Sequence, residues 1–201
     1  MKHVIKKLVV MFSLICIVLG SNFNYASAAT DPYLLGPKWN KTQLTYYIDS
    51  TSSAPGTIPT DEYLYWNNKV TRAFAMWNAS LQIFNINLSF SKTTNSQNAD
   101  ILIRYGYSSS LAHVNNILHN GTLVQSVMTI DDFEMHVNGI SDEYLYKVVL
   151  HEIGHTIGLA NITADHAQAN NIYSVMVFDM NSPRHTELPA EFDKLNLLKL
   201  Y

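Results

Sequence analysis

Apolar residues recur along the chain with two periods, and each period predicts a type of element. Residues 86–90 alternate between apolar and polar side chains, which predicts a half-buried strand. Segments rich in β-branched, aliphatic and aromatic residues predict three more strands, at 44–48, 99–105 and 123–130. The stretch 106–121 carries two glycines and a run of serines, and it is predicted to be a loop.

A period near that of the α-helix predicts three helices. Thr60 is a suitable N-cap for the first, whose apolar stripe continues to about Asn78. Ser141 is the N-cap candidate of the second, which runs to about Gly158, and the third covers about 190–200. Strands and helices in this order predict one α+β domain, in which a mixed sheet is backed by long helices.

The first 28 residues have the three parts of a secretory signal peptide. A basic start is followed by an apolar run over residues 8–19 and then by Ala26-Ser27-Ala28, an A-x-A cleavage site. The run is much shorter than the ~20 residues that a membrane-spanning helix needs. We therefore expect residues 1–28 to be removed and residues 29–201 to form one secreted domain with no membrane attachment.

Cysteine usage and charge narrow the chemistry of the mature chain. The only cysteine, Cys16, lies in the predicted signal peptide, so a metal site would have to use His, Asp, Glu or neutral oxygens. Loss of the leader also removes three lysines, which leaves ten Lys and Arg against sixteen Asp and Glu, a net charge of −6. Nucleic acid is therefore not expected as a partner.

The second predicted helix carries the sequence His-Glu-Ile-Gly-His. Its histidines, His151 and His155, are four residues apart and project from one helix face, where two neutral imidazoles supply half of a zinc site. Glu152 follows the first histidine and can act as general base toward a water that zinc acidifies. This motif predicts a zinc-dependent hydrolase, and no serine-hydrolase elbow or phosphate-binding loop is present.

The segment 147–161, KVVLHEIGHTIGLAN, resembles the zinc helix of the metzincins, and among them it most resembles the matrixins. The family motif continues with a glycine, here Gly158, and with a third histidine three residues later. Asn161 stands at that third position. Its side-chain oxygen could bind the metal, but an amide is a poorer zinc ligand than imidazole. His166 and Asp165 are the alternatives, so the third ligand stays open among the three.

The resemblance extends over roughly 39–201 and implies several further features. Ser174-Val175-Met176 resembles the Met-turn, in which a methionine packs under the zinc ligands, and a C-terminal helix follows it. Residues 177–185 would line the pocket for the substrate side chain just beyond the cut. Asp131 and Glu134 lie where the family often binds calcium, and surface carboxylates are the simpler interpretation of both. Thr129 stands where a histidine of the family's structural zinc would be expected.

The other histidines have no ligand-like spacing and are expected to be solvated loop residues: His113, His119, His136 and His185. The resemblance implies a zinc endopeptidase acting on proteins or peptides, with the substrate paired along an edge strand near 123–130. We expect it to be secreted, because of the signal peptide, and monomeric. The alternative is a metzincin-fold binding module that has lost turnover. Asn161 favours the binding module, whereas Glu152 favours the enzyme, because a binding module has no use for a general base.

Overall fold

The computed structural model describes residues 31–50 and 60–201, so the predicted signal peptide lies outside the described residues. In chain order the elements are β1 (Gln43–Asp49), α1 (Thr60–Ile83), β2 (Ser89–Lys92), β3 (Ile101–Tyr105), β4 (Ala112–His119), β5 (Thr122–Ile130), α2 (Asp132–Val137), α3 (Asp142–Thr156), α4 (Ala164–Ala169) and α5 (Glu191–Leu200).

The five strands form one mixed sheet in the order β2-β1-β3-β5-β4. β1 is parallel to both β2 and β3, and β3 is parallel to β5, whereas β4 runs antiparallel to β5. Together with the long helices α1 and α3 and the closing helix α5, this sheet confirms the α+β fold class.

The predicted loop at 106–121 is wrong, because residues Ala112–His119 form β4. The strand signal is weak since polar side chains occur on both faces of β4, including Asn115 on the outer face and Asn116 on the inner face. The new strand also changes the edge of the sheet. β5 (Thr122–Ile130) lies between β3 and β4, so the prediction of an edge strand near 123–130 is wrong and β4 is the edge.

Aromatic side chains join the sheet to the helices. α1 continues to Ile83 rather than ending near Asn78. Its Phe74 ring stacks on Tyr46 of β1, with ring centroids 3.9 Å apart. The fully buried indole of Trp77 donates to the carbonyl of Leu150 in α3 at 2.9 Å. α1 therefore contacts both the sheet and the helix that carries the His-Glu-Ile-Gly-His motif.

Asp131 is fully buried, so its interpretation as a surface carboxylate is wrong. Its Oδ1 accepts from Glu134 N at 2.8 Å and caps α2, while its Oδ2 accepts from Ser108 N at 2.7 Å. Both oxygens thus hold the backbone of the turns beside β4. Glu134 is exposed, and calcium binding in this region stays a prediction.

No helix among the described residues combines the length and the apolar character needed to cross a bilayer.

Candidate metal centre

Helix α3 is fixed along its length before any ligand is considered. Ser141 caps it by accepting from Tyr144 N at 3.3 Å, and two acidic residues in its first turn face the positive end of the helix dipole. Two indoles then bind its carbonyls: Trp77 binds Leu150 O, and Trp39 donates to Thr156 O at 2.7 Å. The helix is therefore held on both sides of the His-Glu-Ile-Gly-His motif.

His151 and His155 lie together with their rings perpendicular and their centroids 4.8 Å apart. The Nδ1 atom of His151 is 2.9 Å from Val175 O, and that of His155 is 2.8 Å from Leu159 O. A carbonyl oxygen can only accept, so each Nδ1 carries the hydrogen. In the neutral rings each Nε2 then carries no hydrogen and has a free lone pair, which is the form that binds a metal.

Burial favours these neutral rings. Two effects lower the pKa of His151 to about 3: desolvation is the larger, and the charge of the neighbouring His155 is the second. Desolvation also lowers the pKa of His155. Neither ring is protonated near neutral pH, so no proton competes with a metal for the Nε2 atoms.

Glu152 places a carboxylate beside the two rings. The side chain is buried, and its Oε2 makes no hydrogen bond to any residue that the structure describes. Desolvation raises its pKa to about 7. A buried carboxylate oxygen without a donor is costly for the fold, and a nearby cation or a metal-oriented water would satisfy it.

Asn161 lies beside the Nε2 atom of His151. Its Oδ1 is 2.9 Å from the Nε2 of His151, and the side chain also interacts with His155. With the hydrogen of His151 on Nδ1, two acceptors face each other here, an arrangement that fits a shared cation or an amide turned so that Nδ2 donates. Imidazole nitrogens and side-chain oxygens are donors that zinc binds. The chemistry of this donor set therefore suits zinc.

The turn after α3 brings Asn161 back to the histidines. Gly158 has a φ of +94°, and a Cβ there would lie 2.9 Å from Leu200 and 3.0 Å from the carbonyl of Pro37. A side chain is thus excluded both by conformation and by space. Beyond the turn, Ile162 N donates to Met176 O at 2.8 Å, which fixes the residue next to Asn161.

Ser174-Val175-Met176 lies beneath the two histidines, as expected for a Met-turn. Met176 packs against Gly154, and Val175 supplies the carbonyl that orients His151. Asp193 of α5 holds this turn, because its fully buried carboxylate accepts from the Ser174 hydroxyl and from Val175 N. Asp193 was not predicted as a site residue, because its position in the first turn of α5 suggests only a helix cap.

A family model described as matrixin matches residues 38–201, and so includes every residue of this centre. The chain belongs to the matrixin family. Matrixins are in general zinc metalloproteases that act on proteins.

Individual matrixins resemble the chain at modest identity. Karilysin of Tannerella forsythia is 28% identical over 181 residues, which cover 84% of this chain and 33% of karilysin. Interstitial collagenase of Bos taurus is 28% identical over 147 residues, which cover 66% of this chain and 28% of the collagenase. The chain thus spans a third or less of the length of these two relatives.

The other candidate ligands of this matrixin lie apart from the two histidines. His166 and Asp165 are exposed residues of α4, and the Nε2 of His166 is 2.8 Å from the hydroxyl of Tyr33. Among the described His, Cys, Asp and Glu residues, the group whose ligand atoms lie within 4.8 Å of one another consists of His151, Glu152 and His155.

The expectation for the remaining histidines needs correction. His185 is buried, with its Nδ1 donating to Val177 O at 3.0 Å, so it closes the segment 177–185 instead of lying in solvent. His113 and His119 are exposed but belong to β4, and His136 is exposed on α2, where it bonds Glu62. No local pattern in the sequence around His185 indicates that this side chain is buried.

Proposed function

We propose that the chain is a secreted, zinc-dependent endopeptidase in which His151 and His155 bind the metal through Nε2 and Asn161 completes the set through Oδ1. The observation that carries this proposal is that two Nε2 atoms without a hydrogen meet the Oε2 of Glu152, which has no partner among the described residues. At this site His151 and Glu152 are buried, His155 is half-buried and Asn161 is exposed. If His151, Glu152, His155 and Asn161 had only a structural role, the buried Oε2 of Glu152 would remain without a hydrogen bond, at a cost to stability.

The residues divide the work between binding and proton transfer. The chemistry that zinc supplies when bound is polarisation of the scissile carbonyl and a lowered pKa for the attacking water. Val175 O and Leu159 O keep the two imidazoles oriented. Glu152 takes a proton from the water and transfers it to the leaving amine. This role needs a carboxylate oxygen that is free to accept the proton, and Oε2 has no partner among the described residues.

The substrate is a protein or peptide in extended form. Within the part of the chain that the structure describes, β4 pairs only with β5, and it also packs against α3. The other edge of β4 can therefore pair with the backbone of a peptide. Phe178, which is 67% exposed and 6.4 Å from the His151 ring, presents an aromatic surface to that chain. The segment 177–185 would line the pocket for the side chain after the cut.

The organisation of the mature protein belongs to the same proposal. We take residues 1–28 as a cleaved signal peptide and residues 29–201 as one monomeric catalytic domain that is exported, binds no nucleic acid and has no membrane attachment. The A-x-A site before Ala29 and the net charge of −6 that remains after cleavage support this. Calcium near Asp131 is a further expectation from the resemblance only.

A second candidate function is a binding module without turnover, and Asn161 is the observation that favours it. If the amide of Asn161 turns and donates to His151, the pair satisfies itself without a metal. The enzyme binds zinc and cleaves peptide bonds only when zinc is bound, whereas the binding module cleaves no peptide bond.

Metal analysis of the purified mature protein, paired with a casein-cleavage assay with and without chelator, separates the two functions. The endopeptidase is expected to hold one equivalent of zinc and to lose cleavage when the chelator removes it. Protein that retains its fold and cleaves casein equally well without metal would overturn the proposal. Zinc-loaded protein that cleaves neither casein nor gelatin would favour the binding module.

A further inference from the structure

Asn116 places an amide on the inner face of the edge strand. Exposure alternates along β4, and Val114 and Leu118 on the inner face pack against the hydrophobic core. Asn116 lies between them and is half-buried. An amide removed from water costs stability unless its hydrogen bonds are replaced, so the partners of Asn116 indicate its role.

Both ends of this amide have partners. Its Oδ1 accepts from the hydroxyl of Ser126, the fully buried residue directly opposite on β5. Its Nδ2 donates to the backbone carbonyl of His155 at 3.1 Å. Because that carbonyl can only accept, the orientation of the amide is fixed.

The carbonyl of His155 lies at the end of α3, where helix carbonyls run out of partners within the helix. It also accepts from Gly158 N at 3.2 Å, so it belongs to the turn that leads toward Asn161. The ring of the same residue is held by Leu159 O. The bond from Asn116 thus connects the open strand edge directly to a residue of the metal centre.

We propose that Asn116 is a positioning residue that fixes the distance between the open edge of β4 and the end of α3 at His155. A peptide paired along β4 then meets the metal centre at a defined place. This inference rests on the proposed endopeptidase function. Displacing reacting groups by about 1 Å can cost up to about 100-fold in rate, so one well-placed amide has a measurable effect.

Two variants and one matched control isolate this role. Asn116→Leu keeps an inward side chain and removes both hydrogen bonds. Asn116→Asp keeps the acceptor for Ser126 but sets an oxygen against the carbonyl of His155. The control is Asn78→Leu, because the half-buried amide of Asn78 also makes two hydrogen bonds, each 2.8 Å long, to the backbone of Phe90. Asn78 joins α1 to β2, which is the edge strand on the side of the sheet opposite β4.

The kinetic measurement is kcat and KM on a quenched peptide, with zinc affinity from chelator competition and stability from urea unfolding. Both Asn116 variants are expected to lower kcat/KM by about tenfold, with zinc affinity held within about twofold. The control is expected to lose comparable stability and keep its kcat/KM. An unchanged kcat/KM in the Asn116 variants, or an equal fall in the control, would overturn the inference.

Hydrogen exchange decides the same inference without any cleavage. If the unmodified protein cleaves no peptide, the proposed function fails, but the link between β4 and α3 can still be measured. Asn116→Leu is expected to speed exchange in both 112–119 and 156–160, whereas Asn78→Leu should affect residues 89–92 only. Unchanged exchange at 156–160 in the Asn116 variant contradicts the inference whether or not the protein is an enzyme.

Discussion

Met176 occupies the space that a side chain on Gly154 would need. A Cβ atom on Gly154 would overlap the sulfur of Met176 and come within 3.5 Å of the Trp77 ring. Gly154 is the residue just before His155, and Met176 follows the carbonyl that orients His151. The close approach of these two residues therefore sets how near the Met-turn comes to the metal-binding helix.

Gly154→Ala is predicted to lower the free energy of unfolding by about 1–3 kcal/mol, because the methyl group overlaps a packed side chain. The sign is informative, since the same change in an exposed helix stabilises by about 1 kcal/mol. Urea unfolding measures it. As a control, the loss should shrink when Met176→Ala is already present. An equal loss in both backgrounds would show that the two side chains do not compete for space.

The third ligand is tested by substitutions at two positions. Asn161→His is predicted to tighten zinc binding, because imidazole is a stronger donor than an amide oxygen and residue 161 already faces His151. His166→Ala is predicted to leave zinc affinity unchanged, since His166 bonds Tyr33. Chelator competition on both variants gives the answer. Release of zinc from the His166 variant would assign the ligand to α4 instead.

The pH dependence of stability is tested at Asp193, which lies outside the ligand set. Burial raises the pKa of its carboxyl to about 6 from an ordinary 3.8. The folded protein therefore binds this proton more tightly than the unfolded chain, so stability from Asp193 is full below about pH 4 and lost as the pH rises through 6. The loss is at most about 3 kcal/mol.

Asp193→Asn stays uncharged and removes this dependence, whereas the other carboxylates titrate equally in both proteins. Relative to the variant, the unmodified protein should lose stability between pH 4 and pH 7 in urea unfolding. A relative gain over that interval would mean that the hydrogen bonds from Ser174, Val175 N and Ala190 N outweigh burial and keep Asp193 ionised.

The sequence predicted what depends on local patterns. Helix α3 and the grouping of His151, Glu152 and His155 follow from apolar periodicity, a serine cap and a four-residue spacing. The Met-turn was predictable from its order after the helix. The helix and the spacing of its ligands depend only on neighbouring residues in the chain, and the Met-turn follows from the resemblance to the family. One sequence was therefore enough for these features.

What the sequence did not predict depends on contacts between distant segments. β4 was missed because Asn116 faces inward, and its amide is acceptable there only through Ser126 and the carbonyl of His155. The burial of Asp193 likewise depends on Ser174, which no local pattern connects to it. Polar residues inside a fold are recognisable only with their partners.

The central claim is that Glu152 is the general base of a zinc-dependent peptidase, and Glu152→Gln tests it most directly. The amide keeps the shape of the side chain but cannot take a proton from water. The variant is predicted to hold one equivalent of zinc, while kcat for peptide cleavage falls by about 10²-fold to 10⁴-fold. Cleavage at the rate of the unmodified protein, with the zinc content unchanged, would contradict the account.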